Sequence, residues 1–69
     1  MKKIKIKVNG KLKAVDRNIN LSILIKNLKI QLKKVAIEMN GEIVDKKKLS
    51  RIILKNNDRI EVVHFIGGG

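Results

Sequence analysis

Cysteine, proline, tryptophan and tyrosine are all missing from this 69-residue chain, and His64 and Phe65 are its only histidine and its only phenylalanine. Without cysteine there is no disulfide, no thiol nucleophile and no thiolate metal site, so no metal centre is expected. A single aromatic ring cannot form a base-stacking platform for single-stranded nucleic acid. Acidic residues are scarce too: six against seventeen basic ones, for a net charge of +11. Such an excess on its face suggests a nucleic acid or another anionic surface as partner. Lysine rather than the fork-shaped arginine carries it, however, and richness in Lys, Ile and Asn together is the bias of an AT-rich coding sequence. Nucleic-acid binding is therefore discounted as the main function, and Lys46, Lys47 and Lys48 read as a solvated face.

Long apolar runs are also missing. No stretch of signal-peptide length follows Met1, Lys2 and Lys3, and nothing approaches a membrane span, which predicts a cytoplasmic location and no membrane contact. A chain of this length makes one small domain that buries only about 60% of its unfolded surface. Its core is thin and leaves little room for an enclosed active site. No nucleophile, base and orienting group can be assembled from its residues, so the chain is expected not to be an enzyme. His64 has no carboxylate or second histidine near it in sequence and reads as a strand-end residue. Met39 falls on an apolar phase and reads as core.

What the chain does have is clear periodicity. Ile4, Ile6 and Val8 alternate with Lys3, Lys5 and Lys7, the period of a half-buried strand. Asn9 and Gly10 supply a tight hairpin turn, and Leu12 with Ala14 resumes the alternation, so a hairpin is predicted from about Lys2 to Val15. After a polar connection, Asn20 stands as N-cap before Leu21, Leu24, Ile25 and Leu28, the stripe of an amphipathic helix that leaves Ile23 outside. Leu32 allows a further turn, placing the helix end between Lys29 and Lys34. Val35, Ile37 and Met39 form another alternating run into the turn pair Asn40 and Gly41, followed by a short piece at Ile43 and Val44. Leu49, Ile52 and Ile53 suit a single helical turn, and Asn56, Asn57 and Asp58 make a further turn. The last strand is predicted from Arg59 to about Phe65, with Ile60 and Val62 inward and Glu61, Val63 and Phe65 outward. The two apolar residues on the outward side, Val63 and Phe65, predict a small docking patch.

This order of elements is solved economically by a sheet grasping one helix, because a helix stripe and a sheet face can bury each other in two layers. The predicted class is α+β with a β-grasp, ubiquitin-like architecture: a mixed sheet packed on one main helix, its first and last strands parallel and adjacent at the centre. Residues 1–66 form the single domain and residues 67–69 a flexible glycine tail. A glycine run passes through gaps too narrow for any side chain. The carboxylate of Gly69 is ionised at neutral pH and is a poor electrophile until a nucleotide activates it.

Over nearly all its length the chain resembles the ThiS family, the ubiquitin-like sulfur carriers of thiamine biosynthesis. The resemblance rests on Val35 to Val44 (VAIEMNGEIV) and on Asn57 to Gly69 (NDRIEVVHFIGGG). It implies that Gly69 is adenylated by a ThiF-like adenylyltransferase using ATP and Mg²⁺, with no cofactor held stably by the carrier itself. Sulfur from a donor such as a cysteine desulfurase then replaces AMP, leaving a thiocarboxylate that thiazole synthase consumes. Gly67 and Gly68 become the threaded residues, and Val63, Phe65 and Ile66 neighbours of the docking surface. Two departures concern turns: Lys29 stands where relatives often have a helix-ending glycine, and Asp45 where a proline is frequent. The charge also departs, since relatives are often acidic or near neutral, and it predicts acidic partner surfaces. Three alternatives remain: a carrier for molybdopterin synthesis, whose tail is usually approached through a proline; a protein modifier; and an RNA-binding module with an idle tail.

Overall fold

Two short strands, β1 (Lys3–Val8) and β2 (Lys11–Asp16), open the computed structural model, which describes residues 2–65. Asn9 at φ 51° and Gly10 at φ 82° turn the chain between them, the pair of positive angles that matches the twist of a two-residue hairpin. This turn sets Val8 opposite Lys11, Lys7 opposite Leu12 and Ile4 opposite Val15. Residues directly opposite share a face of the sheet, so a two-residue turn carries the apolar phase from even positions to odd ones. Leu12 and Ala14 therefore do not continue the inward row of Ile4, Ile6 and Val8, as the alternation suggested. They lie on the outer face with the lysine row, and Leu12 is 70% exposed. Val15 is the β2 side chain that reaches the core.

The helix α1 (Leu21–Asn27) begins as expected, with the Asn20 Oδ1 accepting a 2.8 Å hydrogen bond from the Ile23 amide. Leu21, Leu24 and Ile25 are buried. The helix ends earlier than expected. Lys29 adopts φ 57°, its amide donates to the Lys26 carbonyl at 3.0 Å, and the Ile30 amide donates to the Ile25 carbonyl at 3.3 Å. Those two bonds around a left-handed residue are a Schellman cap, which satisfies the last carbonyls and stops the α-helix. Leu32 opens a separate 3₁₀ turn, Leu32–Lys34. Left-handed geometry costs an L-residue about 1–2 kcal/mol, partly offset because glycine loses more freedom on folding. Lys29→Gly is accordingly expected to stabilise the domain by about 0.5–1 kcal/mol, read from the urea midpoint; an unchanged or lower midpoint would contradict it.

Strands β3 (Val35–Met39) and β4 (Glu42–Ile43) are joined by Asn40 and Gly41 at φ 53° and 90°. A second 3₁₀ segment, Lys46–Arg51, is capped by Asp45, whose Oδ1 accepts from the Lys47 amide at 2.9 Å, and it buries Leu49. Ile53 does not belong to that turn: it forms a bridge with Asn20 and is half exposed, because the chain has already straightened after Ile52. Leu54 plugs the core instead. The final strand is β5 (Arg59–His64).

The sheet order is β2-β1-β5-β3-β4. β5 runs parallel to β1, with Lys7 beside Arg59 and Val8 beside Ile60, and antiparallel to β3 from Val35 opposite His64 to Met39 opposite Ile60. Inward residues Ile6, Val35, Ile37, Ile60 and Val62 meet Leu21, Leu24 and Ile25 of α1, with Leu49 and Leu54 closing the ends. Met39 packs half-buried against this core. One mixed sheet grasping one helix is the β-grasp architecture. Among the described residues no helix is long and apolar enough to cross a membrane.

Candidate functional site

β5 is followed in sequence, after Phe65 and Ile66, by the glycine run, so its anchorage decides how firmly the run is rooted. Both hairpin asparagines hold it. On the β1 side the Asn9 amide donates to the Ile60 carbonyl at 2.9 Å, and the Asn9 Oδ1 accepts from the Val62 amide at 2.8 Å. On the β3 side the Asn40 amide donates to the Arg59 carbonyl at 2.8 Å, and its Oδ1 accepts from the Arg59 amide at 2.9 Å. Sequence reading assigns these asparagines to turns only. Their second task joins segments far apart in the chain, and no local pattern announces it.

At the far end of β5, the Phe65 amide donates to the Lys34 carbonyl at 2.9 Å. The Lys46 Nζ donates to the Leu32 carbonyl at 2.7 Å and lies 5.5 Å from the centroid of the Phe65 ring. A cation over a ring at this distance contributes about 0.5–1 kcal/mol at exposed sites. Phe65 is therefore held against the Leu32–Lys34 turn while keeping 56% of its surface exposed. Val63 is exposed on the outer sheet face beside Ala36. The expected outward phase of Glu61, Val63 and Phe65 agrees with their exposure. Ile66, Gly67, Gly68 and Gly69 lie outside the described residues, as does the expected boundary at residue 66.

The same outer face carries an acidic spot in an otherwise basic molecule, where Glu38 stands directly opposite Glu61. Like charges placed so are mutually unfavourable. Among the described residues, the ion pair is Lys3 with Asp16 at 2.9 Å. It lies at the other end of the sheet from Phe65, since β1 and β5 are parallel with Lys7 level with Arg59. A surface groove of about 520 Å³, bordered by Lys3, Arg17 and Lys55, opens at that remote end too. No group of three His, Cys, Asp or Glu side chains suited to a metal ion occurs among the described residues.

The molecule is thus a small β-grasp domain whose final strand is followed in sequence by three glycines. The model of the ThiS family matches residues 6–69, nearly the whole chain. The chain belongs to the ThiS family. This ThiS-family chain is 39% identical over 46 residues to the sulfur carrier protein ThiS of Bacillus subtilis, covering 67% of its own length and 70% of that relative. It is also 38% identical over 66 residues to a thiazole synthase of Magnetococcus marinus, covering 96% of its own length but only 20% of that longer protein. Its fold superposes on the crystal structure of the thiamine biosynthesis protein ThiS from Geobacter metallireducens with a TM-score of 0.83 at 33% identity. The match covers 96% of this chain and 100% of that one.

Proposed function

We propose that this chain carries sulfur on the carboxylate of Gly69 for the making of the thiazole ring of thiamine. One observation supports the reading above the rest: a family match that extends through the glycines to residue 69, on a domain whose final strand lies at the centre of the sheet. The carrier is a substrate rather than a catalyst. A carboxylate oxygen of Gly69 attacks the α-phosphorus of ATP on a ThiF-like adenylyltransferase that uses Mg²⁺, and pyrophosphate leaves. The acyl adenylate then receives the outer sulfur of a persulfide, supplied through a cysteine desulfurase, as the carbonyl–oxygen bond to AMP breaks. A second thiol cleaves the resulting S–S bond, being oxidised to a disulfide, and the thiocarboxylate remains on the chain. Thiazole synthase is the proposed acceptor. A region similar to this chain within a longer thiazole synthase is consistent with the two acting together.

In this reading Gly67 and Gly68 pass through the partner's channel because they have no side chain to obstruct it. Val63, Phe65 and Ile66 form the apolar surface at its mouth. The proposed site of action is the cytoplasm, where ATP for the adenylation step and persulfide for the sulfur-transfer step are both available. The test is the intact mass of the protein after incubation with ATP, the activating enzyme of its host and a sulfur source. The expected result is a gain equal to exchanging one oxygen for sulfur. An unchanged mass, with an enzyme shown to be active on another carrier, would overturn the reading. Appearance of the chain in covalent conjugates on lysines would instead make it a protein modifier.

A further inference from the structure

We infer that the root of the tail is a basic collar, built from Lys33, Lys34 and Lys46 around Phe65, that docks on an acidic rim of the enzyme that activates the chain. The inference rests on the carrier reading and adds which part of the +11 charge acts in it. Folding brings the backbone of Lys33 and Lys34 and the ammonium of Lys46 to one end of the last strand. The Lys34 carbonyl takes the Phe65 amide at 2.9 Å, and Lys33 is its neighbour in the same 3₁₀ turn. Lys46 arrives from the other 3₁₀ segment to donate to the Leu32 carbonyl at 2.7 Å and to cover the Phe65 ring. All three side chains are exposed.

None of them is neutralised within the described part of the molecule. The ion pair there is Lys3 with Asp16 at the opposite end of the sheet. Asp45, next to Lys46 in the chain, turns its carboxylate to the Lys47 amide at 2.9 Å. One lysine over an exposed ring and two more in the turn that holds its backbone, none ion-paired among the described residues, make a surface with a definite complement: carboxylates at the rim and an apolar contact for the ring. Because the collar holds Phe65, two residues before the glycines in sequence, a partner that takes the tail must close over it. Exposed charges at such a rim act mainly on the rate of encounter and on its salt dependence.

The test is ATP–pyrophosphate exchange catalysed by the host's activating enzyme, measured against carrier concentration. It is run at about 0.01 M and about 0.15 M salt, between which the screening length falls from about 30 to about 8 Å. Two double variants are compared with the natural chain: K33E/K34E in the collar, and K11E/K13E on the remote edge strand β2. Both change the net charge equally, and neither alters a backbone contact made by Phe65. At low salt K33E/K34E is expected to lower kcat/KM about tenfold with kcat unchanged, K11E/K13E to have a much smaller effect, and the natural chain to lose kcat/KM as salt rises. Equal losses in both variants would overturn the collar in favour of net charge alone. An unaffected K33E/K34E would overturn it as well, even if that variant had lost an affinity for RNA. No exchange with the natural chain would overturn the carrier reading itself, and the collar with it.

Discussion

Removal of Gly69 alone is expected to abolish the gain of sulfur while leaving the domain folded as before. The shortened chain would still end in a carboxylate of the same kind, on Gly68, so the chemistry available to it is unchanged. What changes is position. One residue of extended chain spans at most about 3.3–3.6 Å, whereas reacting atoms need to approach within about 3–3.5 Å with their orbitals aligned. A carboxylate drawn back by one residue cannot reach the α-phosphorus while the domain is seated on the partner. Stability should not respond, because among the described residues the last regular element ends at His64. Circular dichroism and the melting temperature are therefore expected to match those of the full chain, and the intact mass to stay constant where the full chain is converted completely. Conversion of the shortened chain at the full chain's rate would remove Gly69 from the mechanism.

The second large effect is expected in the core. Ile37 is fully buried on β3, where it pairs with Val62 and faces α1. Ile37→Ala removes buried methyl groups and leaves a void that a two-layer domain cannot refill, costing about 3–4 kcal/mol. Stability of roughly 0.05–0.15 kcal/mol per residue gives a chain of this length only about 3–10 kcal/mol in total. The variant should therefore lose about a third or more of its stability. Leu12→Ala supplies the contrast: its side chain is 70% exposed, and a surface change of this kind stays within about 0.5 kcal/mol. Urea unfolding of the two variants measures the difference directly. Similar midpoints would mean that Leu12 is packed after all and that the hairpin register is wrong.

That contrast also marks where the sequence can be read and where it cannot. The helix stripe of Leu21, Leu24, Ile25 and Leu28 was legible because one element sets its own period, and the same holds for Ile60 and Val62 in the last strand. Leu12 was not, because the phase of a second strand depends on the number of residues in the turn before it. Lys29 carries no local preference for the left-handed conformation that stops α1, so the helix end was marked only by the helix-ending glycine that relatives often have at this position. Leu54 has no periodic partner within its own segment, and its burial comes from elements that arrive from elsewhere. Of the candidate site, the outward phase of Val63 and Phe65 could be read from alternation. The contacts that root it could not, since Asn9 reaches Val62 and Lys46 reaches Phe65 from distant parts of the chain. The glycines were legible through the family pattern, and no periodicity speaks for them.

The antiparallel pairing of β5 with β3 has a mechanical consequence for a domain that is pulled by its end. A force applied at Phe65 along the strand axis loads the hydrogen bonds from Val35–His64 to Met39–Ile60 in parallel, and the Asn9 and Asn40 contacts at the base share that load. Bonds strained in shear must yield together, whereas bonds at a peeling edge yield one at a time. A partner can therefore tug on this chain, or let it go abruptly, without unravelling it from the end that is held.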